Sequence, residues 1–399
     1  MKFIWIVIIL IAIGYLGGKL VFSKEKLPKI IRDFFLTGWE FILVGVALGP
    51  IGLDFISATR LEQLNPFIAL GLGWTGLIFG TQLRRDDLLK VDPAIISLTL
   101  FQAAFVGSAL FALFFTVLSF HPWFAWSEVI TASCVIAAAG AVSSPTALSL
   151  MASEIHVTMK SAARTLMIVS TLDVAPILLV IGFLFCFFPA TEFGVFSPWH
   201  GVLYTFYSIV MALALALMFR FFGREKLSYE EDLTVFIGFL IFVAGIAFYL
   251  GLSPLFLSLL TGIVLGNILK PDDRVFTMMY ATEKPFYVIM LLLTGILISE
   301  TSLPAFIAAI VIVAVRLWLK VFSVNKAVKY LGIQNIATKE AGLGLTAQGA
   351  LSIAIGLNYT LVYPGKEAQV AFTIIIIATV INEIIAPFLI RRSLGRETG

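Results

Sequence analysis

The residues with the clearest chemical potential lie in Ser170-Thr171-Leu172-Asp173-Val174-Ala175-Pro176, in the middle of an apolar run at 161–188. Such a run can cross a bilayer, which takes roughly 20 apolar residues. A charge at its centre costs about 2.5–3.5 kcal/mol on insertion scales. A carboxylate kept at that depth suits ion or proton traffic: Asp173 can hold a small monovalent cation, sodium above all, and a proton in turn. The plainer reading is a neutral, hydrogen-bonded acid that glues two helices.

Two other runs carry polar, Pro- or Gly-containing patches at mid-span. One reads Gly140-Ala141-Val142-Ser143-Ser144-Pro145-Thr146, the other Gly344-Leu345-Thr346-Ala347-Gln348-Gly349. Proline removes a backbone donor and crowds the preceding turn, so a helix opens at Pro145. Freed carbonyls are tolerated at membrane depth where they line a cavity or ligate an ion. The hydroxyls of Ser143, Ser144, Thr146 and Thr171 are hard oxygen ligands suited to sodium or lithium. Against this stands a simple kink with small-residue helix packing. Arg316 is the one basic residue well inside a span, and it needs a partner because it does not readily lose its proton. Asp173 and Glu383 are the candidates: the first pairing makes Arg316 a charge compensator that an arriving cation displaces, the second a structural one. Lys320, one turn on, is expected to snorkel to the cytoplasmic surface, and Glu40 to an interface.

The elements that position these residues follow from composition. The 399 residues are 60% hydrophobic and 13% charged, and mean hydropathy is +1.03. Soluble domains carry about 25% charged residues, so this is a polytopic all-α membrane protein. The net charge of +3 gives no footing for nucleic acid. Cys134 and Cys186 read as packing residues, and the three histidines, His121, His156 and His200, lack ligand spacing. No cofactor, nucleophile–base pair or phosphate loop is indicated, which leaves little room for an enzyme. Apolar runs give about 13 transmembrane helices, near 3–22, 34–53, 63–82, 93–119, 128–152, 161–188, 200–222, 231–249, 253–268, 284–299, 303–324, 341–360 and 368–390. The first, without a small-residue cleavage site after it, reads as a retained helix. Lysines and arginines gather in the odd-numbered loops (Lys24 and Arg32, Arg84 and Lys90, Arg220 and Arg224, Lys326 and Lys339) and at Arg391 and Arg392. The positive-inside rule then puts the N-terminus outside and the C-terminus in the cytoplasm.

Internal repetition organises the spans. Gly45-Val46-Ala47-Leu48-Gly49-Pro50 parallels Gly262-Ile263-Val264-Leu265-Gly266-Asn267, and Asp173-Val174-Ala175-Pro176 parallels Glu383-Ile384-Ile385-Ala386-Pro387. Both pairs are seven spans apart, an odd number, so the repeats run in opposite senses. A single transmembrane domain results, with a first inverted six-helix repeat at 1–190, a linker helix at 200–222 and a second repeat at 231–390. Paired interruptions in such repeats point to the binding site of a secondary transporter.

With these motifs the chain resembles the monovalent cation:proton antiporter superfamily, the sodium/proton exchangers and the membrane domain of Kef-type systems. The resemblance rests on 45–50, Ser143-Ser144-Pro145-Thr146, Leu172-Asp173-Val174-Ala175-Pro176, 261–267, Glu283-Lys284-Pro285-Phe286, 346–350 and 383–387. It implies two crossing broken helices beside the essential aspartate, Arg316 facing that aspartate, a homodimer in the inner membrane, and elevator-like movement of a core against a dimerisation scaffold. The residue before the aspartate, commonly Asp, Asn or Gln in this family, is Leu172 here, which removes a candidate ligand. The expected function is exchange of protons for sodium, one for one, on a single shared carboxylate. A potassium/proton exchanger of the same build, and a sodium-coupled organic anion transporter on the same fold, are the rivals.

Overall fold

Prolines and short polar side chains set where the helices start. Asp92 accepts from the Ala94 N–H at 2.9 Å ahead of Pro93, Ser253 caps the helix that opens at Pro254, and Ser302 caps the one carrying Pro304. Each side chain satisfies a donor that the helix itself leaves without a partner. The structure is a computed structural model that describes residues 38–120, 124–145, 148, 160–189, 196–222, 228–270, 273–298, 302–332 and 340–395. The span expected at 3–22 lies outside the described residues, as does Thr146.

The described residues are almost entirely helical. We number the main helices α1 (Glu40–Leu48), α2 (Asn65–Thr81), α3 (Pro93–Ser119), α4 (Trp126–Ala141), α5 (Lys160–Leu172), α6 (Val174–Phe187), α7 (Pro198–Phe222), α8 (Tyr229–Tyr249), α9 (Pro254–Ile268), α10 (Arg274–Leu297), α11 (Leu303–Leu331), α12 (Ala341–Gly344), α13 (Gly349–Val362) and α14 (Lys366–Gly395). Among the described residues, seven helical segments are long and apolar enough to cross a membrane, and α4, α9 and α13 are shorter apolar helices. This is a multi-span membrane protein.

Two helices run well beyond their expected bounds. α10 begins at Arg274 and runs through Pro285, where the charged Glu283-Lys284 pair had suggested a boundary. α11 continues past 324 to Leu331 and stops at Gly332, whose left-handed backbone (φ 69°) closes the helix end. That extension puts Lys320 well inside α11.

Without a hydrophobic drive between helices in lipid, close packing must hold them together. Gly45 on α1 faces Gly295 on α10, and Gly80 on α2 faces Gly262 on α9. A Cβ on Gly45 would lie 2.2 Å from the Leu292 carbonyl oxygen, and one on Gly80 the same distance from that of Leu259. The repeat expected from the sequence would carry Gly45 onto Gly262, each of which sits at one of these two crossings. A large apolar cluster takes in Val106 of α3, Val135 of α4, Ile177 of α6, Leu357 of α13 and Ile375 of α14. A second joins Leu77, Leu215, Phe236 and Leu257 of α2, α7, α8 and α9.

Candidate functional site

Two helices lose their regular backbone beside one another. α4 ends at Ala141 because Val142 turns to an extended conformation (φ −64°, ψ 153°), three residues ahead of Pro145. α12 ends at Gly344, and α13 restarts at Gly349 with φ +67°. The two open segments meet where the Ser144 N–H donates to the Ala347 carbonyl at 2.9 Å. A Cβ on Gly349 would sit 2.5 Å from Ser144 Oγ, so only glycine fits at this closest approach.

The ends of helices facing this crossing carry freed carbonyls with partial negative charge. Arg316 of α11, fully buried, answers them from both segments. Its Nε donates to Gly140 O at 2.6 Å. Its Nη2 donates to Val142 O at 2.7 Å and, at longer range, to Leu345 O at 3.3 Å and Ala347 O at 3.5 Å. Its Nη1 donates to the Thr346 carbonyl. All five contacts are backbone carbonyls, so the guanidinium binds neither Asp173 nor Glu383.

Asp173 has 0% exposure. It interrupts the α5–α6 helix for one residue, as Pro176 lacks the N–H that would bond the Leu172 carbonyl. Ser143 Oγ donates to its Oδ2 at 2.6 Å, Gln102 Nε2 of α3 to the same oxygen at 3.1 Å, and the Ser143 N–H to Oδ1 at 3.4 Å. The cation beside it is Lys320, with Nζ 3.6 Å from Oδ2 and both side chains wholly buried. Lys320 therefore does not reach a surface; its position four residues after Arg316 puts both cations on one face of α11. Nζ donates to Gln102 Oε1 at 2.9 Å, Ala141 O at 2.5 Å and Ser143 Oγ at 2.9 Å.

At sequence level, no protein-family model and no curated protein matches this chain. Solved structures do. The sodium proton antiporter MjNhaP1 from Methanocaldococcus jannaschii, in its structure at pH 8, matches over 99% of this chain and 100% of its own, with a TM-score of 0.64 and 16% identity. An electron-microscopy structure of that antiporter matches over 99% and 98%, with a TM-score of 0.61 and 16% identity. This chain has the sodium/proton antiporter fold.

Within that antiporter fold α13 and α14 build a related but different constellation. Glu383 of α14 accepts from the Gln348 N–H at 3.0 Å and the Gly349 N–H at 2.7 Å, at the positive N-terminal end of α13. Gln348 Nε2 donates to Ala139 O at 2.8 Å, and Asn382 Nδ2 donates to Gln348 Oε1 at 2.6 Å. Ser352 also donates to Ala139 O at 2.8 Å. This network fastens the second broken helix to α4.

The structure thus places Ser143 on Asp173, and Ser144 and Gly349 at the crossing of the open segments. Pro145 borders the first segment. Thr346 presents its carbonyl to Arg316, while its hydroxyl turns back to Leu343 O at 2.8 Å. Thr171 is not brought to the aspartate: its hydroxyl donates to Met167 O of its own helix at 2.9 Å. Glu40 opens α1 and is half-buried. Of two residues at the centre, Gln102 escaped the sequence reading and Lys320 was placed by it at the surface. Gln102 is a neutral amide in an apolar span, and its only signal is that polarity. Lys320 had one signal, its spacing from Arg316.

Proposed function

We propose that this chain exchanges protons for a monovalent cation, sodium in the first place, using Asp173 as the carboxylate that both ions share. The observation that supports this most is the setting of Asp173. It is a fully buried carboxylate at the crossing of two opened helices, with a hydroxyl and a carboxamide on it and an ammonium 3.6 Å away. Carboxylate, hydroxyl and freed carbonyl oxygens are the hard ligands a small alkali cation takes in place of water.

In this reading the ammonium of Lys320 balances Asp173 when the cargo is absent. An arriving cation takes over that balance, and a proton does the same from the other side. Charge compensation thus belongs to Lys320, and Arg316 and Glu383 hold the two open segments in place. One carboxylate with one competing charge gives one cation for one proton. The N-outside orientation, an inner-membrane location, a homodimer and an elevator-like displacement complete the proposal.

The experiment uses purified protein in proteoliposomes with an imposed pH gradient and a pH-sensitive dye. Sodium, lithium and potassium are added in turn to the parent and to Asp173→Asn. The proposal expects a cation to dissipate the gradient in the parent alone, with an apparent Km that rises as proton concentration rises. A parent inert to all three ions would overturn it; a response to potassium alone would reassign the cargo. Proton and cation acting without competition would remove the shared carboxylate.

A further inference from the structure

Lysine carries three N–H donors and no more. In Lys320 all three meet neutral oxygens, on Gln102, Ala141 and Ser143. The 3.6 Å approach to Asp173 is too long for a hydrogen bond. The two charges are therefore joined through intermediaries. Ser143 Oγ accepts from Lys320 and donates to Asp173. Gln102 does the same across its carboxamide, with Oε1 toward Lys320 and Nε2 toward Asp173. The orientation of that amide is dictated by its neighbours, because an ammonium only donates and an ionised carboxylate only accepts.

We infer that Gln102 is a cation-binding residue of the Asp173 site, a neutral ligand that turns its oxygen to the cation and in doing so releases Lys320. This rests on the antiport reading above. As the amide stands, its N–H end faces Oδ2, the atom a cation must approach, and that end repels a cation. Turning the carboxamide over brings Oε1 to the cation. The same rotation takes one of three acceptors away from Lys320. Cation binding and retention of the lysine are thus opposed through one side chain, which is what an exchange site requires. The residue before the aspartate, Leu172, offers no ligand, and Gln102 fills that need from a different helix. Its complete burial, 0% exposed at mid-helix in α3, gives the amide no other polar surroundings to serve.

The test compares the parent with Gln102→Leu and Gln102→Glu in two assays. One is cation-driven dissipation of a pH gradient in proteoliposomes. The other is thermal unfolding in detergent with sodium, lithium or potassium chloride titrated against choline chloride. Losing one ligand to a charged partner is expected to raise the apparent Km, and the cation concentration for half-maximal stabilisation, about tenfold or more in Gln102→Leu. The maximal rate is expected to stay within about threefold of the parent. Gln102→Glu still offers an oxygen to both the cation and Lys320 but shares a proton with Asp173, 3.1 Å away, near neutral pH, so it is expected to bring both values back to the parent's or below at alkaline pH. A Gln102→Leu protein with the parent's Km overturns the inference and leaves the antiport reading standing. Should Gln102→Leu fail to fold, a Gln102→Glu protein whose Km stays raised at alkaline pH overturns it equally. A parent that neither transports nor is stabilised by any of the three cations overturns both.

Discussion

The pair Asp173–Lys320 permits a double-mutant cycle whose size follows from its geometry. Two opposite charges 3.6 Å apart attract by about 4–5 kcal/mol at the effective dielectric of about 20 that reproduces buried sites. No solvent discount applies, since both side chains have 0% exposure. Asp173→Asn leaves Lys320 charged but with its three oxygen acceptors intact. Lys320→Met removes a donor from Gln102 Oε1, Ala141 O and Ser143 Oγ together. Each abandoned buried acceptor adds to the loss, so Lys320→Met is expected to be the more destabilising single change. The double variant, neutral at both positions, should recover much of the charge penalty. Unfolding of the four proteins in mixed micelles at neutral pH, titrated with SDS and followed by tryptophan fluorescence, gives the coupling energy. A value below about 1 kcal/mol, the range of exposed pairs, would refute a mutually compensating buried pair. A less damaging Lys320→Met would refute the bridged geometry.

Other substitutions address the scaffold around the pair. Arg316→Lys keeps the charge but has three donors for five carbonyls. The Ala347 carbonyl keeps the Ser144 N–H, but at least one of the other four stays uncovered, so it should lose about 1–3 kcal/mol in the same micelle titration. Gly349→Ala places a Cβ 2.5 Å from Ser144 Oγ in a backbone with φ +67°. It should lose about 1–2 kcal/mol from the backbone conformation alone and raise the cation Km in proteoliposomes. Gly238→Ala, where nothing lies within 4 Å, is the matched control and should unfold like the parent or slightly later.

What could be read in advance divides by the kind of force involved. Asp173 was legible because a charge in a long apolar run is costly wherever the chain places it. The breaks were legible because Pro145 and the 344–349 patch oppose a helix locally, whatever surrounds them. Partners were harder. Arg316 looked to need a carboxylate, yet helix ends aimed at it offer five carbonyls, and which helix ends converge is a tertiary fact. Lys320 was sent to the surface because the apolar run fades near 324. α11 stays helical to Leu331, so the fading marks a helix with one polar face, and Lys320 lies on it at depth. Gln102 was silent because an amide, though costly to bury unpaired, both donates and accepts, so its type alone does not name a partner. Thr171 was plausible by adjacency to Asp173, but a threonine hydroxyl within a helix readily bonds the carbonyl four residues back, and it does so here.

Arg316 and Lys320 lie one turn apart on the same face and still have separable duties. The contacts of Arg316 fall on both open segments, Gly140 and Val142 on one side and Leu345, Thr346 and Ala347 on the other. Any movement that drew the segments apart would break several charge-assisted bonds at once, each of the stronger class. The ammonium of Lys320 hydrogen-bonds the first segment and Gln102 of α3 and stands 3.6 Å from Asp173. Its bonds can respond to the charge on Asp173 without disturbing the crossing. The Glu383–Gln348–Ala139 network adds a second tie between the segments, independent of Asp173. In the proposed antiport, a crossing pinned twice is expected to travel as one body with α11 and the aspartate. A mechanism in which the crossing itself opens to release the ion would have to break the guanidinium contacts in every cycle.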